Sequence, residues 1–102
     1  MKLITATGRE IDVFRVIKGG LMDYLHIYIN TLTPPELYEI FNDNPEETET
    51  ITVVEMREEE EISHVYRDYT ELYSVQKPFL ASPEGTWMVW MQHPTEVITD
   101  VS

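Results

Sequence analysis

The sequence predicts an α+β, mainly β fold: a small antiparallel β-barrel or sandwich of six to seven strands, with one short α-helix at about 34–42 between the third and fourth strands. Three observations predict it. In Tyr24 to Asn30, Leu25, Ile27 and Ile29 alternate with Tyr24, His26, Tyr28 and Asn30, the period of two that puts one strand face on a core. In Thr33 to Asn44 the residues that start, fill and stop a helix stand in order. Thr86 to Gln92, TWMVWMQ, is an apolar β-forming run that suits a strand buried on both faces or at an interface.

The elements follow along the chain. Lys2 to Ala6 and Ile11 to Val16 form an N-terminal hairpin across Thr7, Gly8 and Arg9, where Gly8 supplies the positive φ of a tight turn. Lys18, Gly19 and Gly20 break the pattern before the strand at Tyr24. Thr33 is then an N-cap. Pro34 fits the first helical position, where no amide donor is missed, and Glu36 completes a T-x-x-E capping box. Leu37, Ile40 and Phe41 fall on one helix face, and Asn42 to Pro45 end the helix, which is too short to stand without a sheet beneath it.

Thr48 to Met56 is β-forming, and Glu58 to Glu61 make a charged loop or hairpin tip. Ile62 to Val75 reads as one long strand. Tyr66, Asp68, Thr70 and Leu72 share one parity and Val65, Tyr69, Tyr73 and Val75 the other, so a bulge would decide which of them face inwards. Lys77 to Gly85 is a turn-rich connection, Pro94 ends the last apolar strand, and Glu96 to Val101 forms a final edge strand or frays.

With 102 residues the chain is expected to be a single domain, 1–102, able to bury its own core. Cysteine is absent, which excludes disulfides, thiolate metal sites and cysteine nucleophiles. No run approaches the length that spans a bilayer as a helix, and the N-terminus lacks the apolar stretch of a signal peptide, so a cytoplasmic location in the host cell is expected. The net charge of −12 repels nucleic acid and anionic membrane. Between Asp43 and Glu61, nine acids stand against Arg57 alone. Basic or apolar protein surfaces are therefore the expected partners.

No catalytic, cofactor or metal residues are assigned. His26, His64 and His93 lack the spacing that sets two imidazoles on one metal from one element. Asn42 to Glu47 lack the glycine and closing glutamate of a calcium loop and read as a helix stop. Carboxylates on a solvated loop have no apolar pocket to tune them for acid–base work. The interaction candidates are of two kinds. Tyr24, His26 and Tyr28 share one face of their strand, and Trp87 and Trp90 point to opposite faces of theirs, which places one tryptophan in the core and the other in a second core layer or contact surface. Glu58, Glu59, Glu60 and Glu61 form the acidic candidate, read as a solvated loop, as a dock for a basic partner, or as a mimic of DNA phosphates.

The phrase around Phe41, Asn42, Pro45, Glu46 and Thr48, with the later Tyr69, Thr70 and Leu72, resembles small uncharacterised proteins encoded in tailed phages and prophages of Gram-positive bacteria. The resemblance spans Lys2 to Gln92 and carries no catalytic residues. It implies a phage-related protein of the virion or tail-assembly set. The function expected is a non-enzymatic structural or assembly protein, without cofactor, that binds phage structural proteins or itself through a sheet face or edge, in the host cytoplasm or the virion. The alternative is an acidic inhibitor or DNA mimic acting on a host nucleic-acid-binding enzyme.

Overall fold

The computed structural model describes residues 1–19 and 23–94. Its strands are β1 (Lys2–Ile4), β2 (Glu10–Asp12), β3 (Arg15–Gly19), β4 (Tyr24–Ile29), β5 (Thr50–Arg57), β6 (Glu60–Arg67), β7 (Glu71–Gln76) and β8 (Trp87–Gln92), with helix α1 (Pro34–Phe41) and a 3-10 turn (Pro45–Thr48) between β4 and β5. They build two four-stranded sheets, β2-β1-β5-β6 and β3-β4-β8-β7, every pairing antiparallel. The sheets are open, so the barrel alternative is not realised. The helix follows the fourth strand, not the third, and the described residues hold eight strands instead of six or seven.

Both differences have one cause: two runs that read as continuous strands are each split between the sheets. The Val13 amide donates to the Met1 carbonyl (3.1 Å) in the first sheet, and the very next amide, Phe14, donates to Tyr28 (2.7 Å) in the second. Hence Ile11 to Val16 is two strands. The expected strand Ile62 to Val75 breaks at Asp68, whose φ is +64 and whose amide makes a last bond to the Glu49 carbonyl (3.0 Å) before β7 joins the other sheet. Each break interrupts the alternation of inward residues, Ile11 and Val13 giving way to Val16 and Tyr66 to Tyr69 and then Leu72, but an interruption of this kind does not tell a bulge from a change of sheet. The final strand or frayed end expected at Glu96 to Val101 lies outside the described residues, as does Gly20 of the Lys18 to Gly20 break.

The core takes Leu3, Ile11, Ile51 and Val53 from one sheet and Leu25, Ile27, Ile29, Val89 and Met91 from the other. Leu37, Ile40 and Phe41 of α1 join it, and the helix packs against β7 and β8. The helix starts as its residues dictate: the Thr33 amide and hydroxyl both donate to Glu36 Oε1, at 3.0 and 2.8 Å. The N-terminal hairpin pairs Leu3 with Ile11 across a turn in which Gly8 has φ +94. That turn is tied to the rest by Glu47, a buried carboxylate that accepts from Arg9 Nε (2.7 Å) and from the Thr5 and Thr7 hydroxyls.

Candidate functional site

Register decides which side chains meet on the outer face of the second sheet. His26 of β4 stands opposite Trp90 of β8, on the face turned away from Leu25, Ile27, Val89 and Met91. Their rings stack with centroids 4.2 Å apart and planes 22° apart. Tyr24 lies 5.2 Å from Trp90. Tyr73 then stacks on Tyr24 at 4.9 Å.

Tyr73 follows Leu72, which pairs with Met91 on the inner side, so alternation turns it to this face; the bulge acts after it, pairing Ser74 with Trp90 and returning Val75 to the core side. Phe79, from the connection after β7, sets its edge on Trp90 at 5.6 Å with an interplanar angle of 87°. Trp90 is thus the hub of five aromatic rings. The outer members stay in water, Phe79 at 67% and Tyr73 at 54% exposure, and Leu80 beside Phe79 is also exposed. Offset and edge-on contacts of this kind add to simple area burial and hold the rings in fixed orientations.

The electrostatics of the cluster are nearly neutral. Desolvation lowers the His26 pKa, which favours the uncharged imidazole at neutral pH. Desolvation, then the neighbouring Tyr73, raises that of Tyr24. His26 Nε2 and Trp90 Nε1 are buried without a hydrogen-bond partner among the described residues. Ring stacking therefore sets the position of both side chains.

Of the residues expected to form an interface, Tyr24, His26 and Trp90 come together here. Tyr28 shares their strand face, yet it is buried, opposite Met88 and beneath the Arg15 guanidinium, 5.4 Å from its ring. Trp87 is on the inner face, packed on the core with Lys77 Nζ 4.3 Å from its ring centroid. Glu58 to Glu61 lie on the other sheet, at the exposed turn joining β5 and β6. There Arg57 pairs with Glu60, so Glu58 and Glu59 alone form the loop, both at positive φ (+48 and +71).

Tyr73 and Phe79 were not expected at the site. A lone phenylalanine in a turn-rich segment was a readable signal for Phe79; the face of Tyr73 follows from the pairing of Leu72 with Met91, which has no local signature.

A second polar group lies at one end of β4. The Tyr69 hydroxyl donates to Asp23 Oδ1 (2.9 Å), His93 Nε2 stands 3.0 Å from Asp23 Oδ2, and His93 Nδ1 stands 3.0 Å from the Asp68 carbonyl. The Tyr69 hydrogen bond is the main influence that lowers the Asp23 pKa. Desolvation, then Asp23, pushes the Tyr69 phenol up to about 12. Both His93 nitrogens face acceptors. Among the described residues no three His, Cys, Asp or Glu side chains are grouped so as to hold a metal ion, and no helix is long and apolar enough to cross a membrane.

The fold and this face define a two-sheet antiparallel β protein carrying an aromatic surface cluster. No known protein family, curated protein or solved structure matches the chain.

Proposed function

We propose that the chain is a non-enzymatic protein-binding module that presents the outer face of its second sheet to another protein, in the structural or assembly role that the phage resemblance implies. The observation that carries this reading is the exposure of Phe79 and Tyr73 around an ordered Trp90 hub, since rigid, half-wet aromatics are the side chains that anchor interfaces. The geometry elsewhere supports a binding role over a chemical one. A tyrosine held to about 12 is a poor base or nucleophile, and a histidine whose nitrogens both face acceptors has no lone pair directed at a substrate.

The test uses the intact chain and a Tyr73→Ser/Phe79→Ser variant in sedimentation and in pull-down from a phage lysate. The wild type should capture a phage structural protein or self-associate, and the variant should lose that capture while still unfolding in one cooperative urea transition. A wild type that stays monomeric at high concentration and captures nothing, or capture indifferent to the two substitutions, would overturn the reading.

One observation favours the acidic-inhibitor alternative. Glu58 and Glu59 occupy a two-residue loop whose positive φ values suit Asn-Gly, so acidic side chains are kept there against local preference. Salt-sensitive binding to a basic DNA-binding protein, abolished by neutralising Glu58 to Glu61, is its signature. Binding unaffected by that change would dismiss it.

A further inference from the structure

The first sheet also has an outer face, and its composition breaks the rule for a solvated one. Leu3, Ile11, Ile51 and Val53 face the core, so Ile4, Val54 and Met56 point the other way. Alternation would place polar side chains there. Instead these three, with Lys2 beside them, floor an open groove of about 610 Å³, and Met56 is 66% exposed. Among the described residues no helix or sheet covers it.

The groove has charged walls on both sides. Glu10 and Asp12 come from β2 and Glu61 from β6, the two edge strands of this sheet, while β1 and β5 carry the floor. Lys2, on β1 between Asp12 and Val54, pairs with Glu10 at 3.5 Å and so offsets the charge of that one rim residue. Asp12 and Glu61 make no ion pair among the described residues. A floor that is apolar apart from the Glu10-paired Lys2, between two acidic rims, is complementary to a ligand with an apolar stripe flanked by cations.

Size selects the form of that ligand. Four strands spaced about 4.8 Å apart put the rims about 14 Å from each other, which accommodates an α-helix about 10 to 12 Å across. An extended peptide would instead add to a strand edge. Nucleic acid and anionic lipid are repelled by the rims. Methionine on the floor suits a helix surface of varied side chains, because its unbranched thioether adapts to irregular shapes.

We infer that the outer face of the β2-β1-β5-β6 sheet binds a basic amphipathic helix of a partner protein, with apolar residues seated on Ile4, Val54 and Met56 and Lys or Arg residues paired with Asp12 and Glu61. This surface is separate from the aromatic face of the other sheet and does not depend on its role.

The experiment titrates the intact chain with a labelled Lys/Leu amphipathic helical peptide, with a scrambled peptide of the same composition, and with a Glu/Leu peptide of the same pattern. The Lys/Leu peptide should bind, and the other two should bind at least about tenfold more weakly. An Asp12→Asn/Glu61→Gln variant and a Met56→Ser variant should each weaken binding by about tenfold, with the urea midpoint unchanged. A Glu58→Gln/Glu59→Gln variant, which removes the same charge from the nearby turn, should bind as the wild type does.

Equal binding of the scrambled peptide, or equal loss in the turn variant, would reduce the effect to net charge and overturn the inference. So would absence of binding, or self-association of the free chain abolished by Met56→Ser, which would make a second copy the occupant.

Discussion

The Tyr69 hydroxyl donates to Asp23 Oδ1 across 2.9 Å, joining the residue just before β4 to one that lies between β6 and β7. Asp23 is at φ +53 and Asp68, next to Tyr69, at φ +64, so two backbone positions in the left-handed region are held at one place. His93 bridges them, through the Asp23 carboxylate and the Asp68 carbonyl. The group fastens the point at which the chain leaves the first sheet for the second. That role makes it sensitive to pH at both ends of the scale.

At high pH, the unfolded Tyr69 loses its proton near its ordinary value of 10.0, whereas the folded one keeps it to about 12. The native state then binds more protons than the unfolded state, so stability falls as pH rises between those values. Two units correspond to on the order of 2 kcal/mol for this buried phenol. Tyr24 and Tyr66 are shifted in the same direction and add to the fall. Tyr69→Phe should lose about 1 kcal/mol at pH 8 and show a shallower decline above pH 10, measured by urea unfolding at a series of pH values.

At low pH, the sign reverses. Asp23 is lowered chiefly by the Tyr69 hydrogen bond, and Glu36 chiefly by the Thr33 backbone amide. Their contribution is present above the ordinary carboxylate range and is lost as pH falls through their depressed values. Asp23→Asn and Glu36→Gln should each flatten the acid limb of the stability curve. Urea midpoints from pH 6 down to pH 2 check this, and an unchanged limb in Asp23→Asn would remove Asp23 from the account.

Glu47 is buried, and Arg9, Thr5 and Thr7 all point at its carboxylate. Its removal leaves those partners without this acceptor, so that the Ala6 amide bond to the carbonyl of residue 47 (2.9 Å) alone of these contacts still ties the β1–β2 turn to the 3-10 turn. Glu47→Ala should cost about 2 kcal/mol, seen as a lower urea midpoint. Glu46→Ala, one residue away and exposed, should be nearly silent.

The Glu58–Glu59 loop has the φ signs of the tight hairpin turn that favours Asn-Gly. A left-handed conformation costs a side-chain-bearing residue about 1 to 2 kcal/mol. Glu58→Asn/Glu59→Gly should therefore raise stability by about 1 kcal/mol or more, measured by thermal and urea unfolding. Loss of stability would show that the charges themselves hold the turn.

The sequence by itself determined the helix and the strands that flank the core. Thr33, Pro34 and Glu36 start α1, Leu37, Ile40 and Phe41 give it a buried face, and the alternation at Leu25, Ile27 and Ile29 orients β4. Capping and periodicity act within a few residues, so they are legible in the chain. The same alternation set Tyr24 and His26 on one face and separated Trp87 from Trp90.

Only the tertiary structure decided the division into two sheets, the bulge in β7 that lets both Leu72 and Val75 face the core, the burial of Tyr28 and the carboxylate clasp at Glu47. Each depends on a partner remote in sequence: Val13 and Phe14 bond to Met1 and Tyr28, Ser74 pairs with Trp90, and Glu47 meets Arg9. Strand pairing and burial are contests among distant segments for the same core. A residue's own neighbours along the chain do not determine the winner.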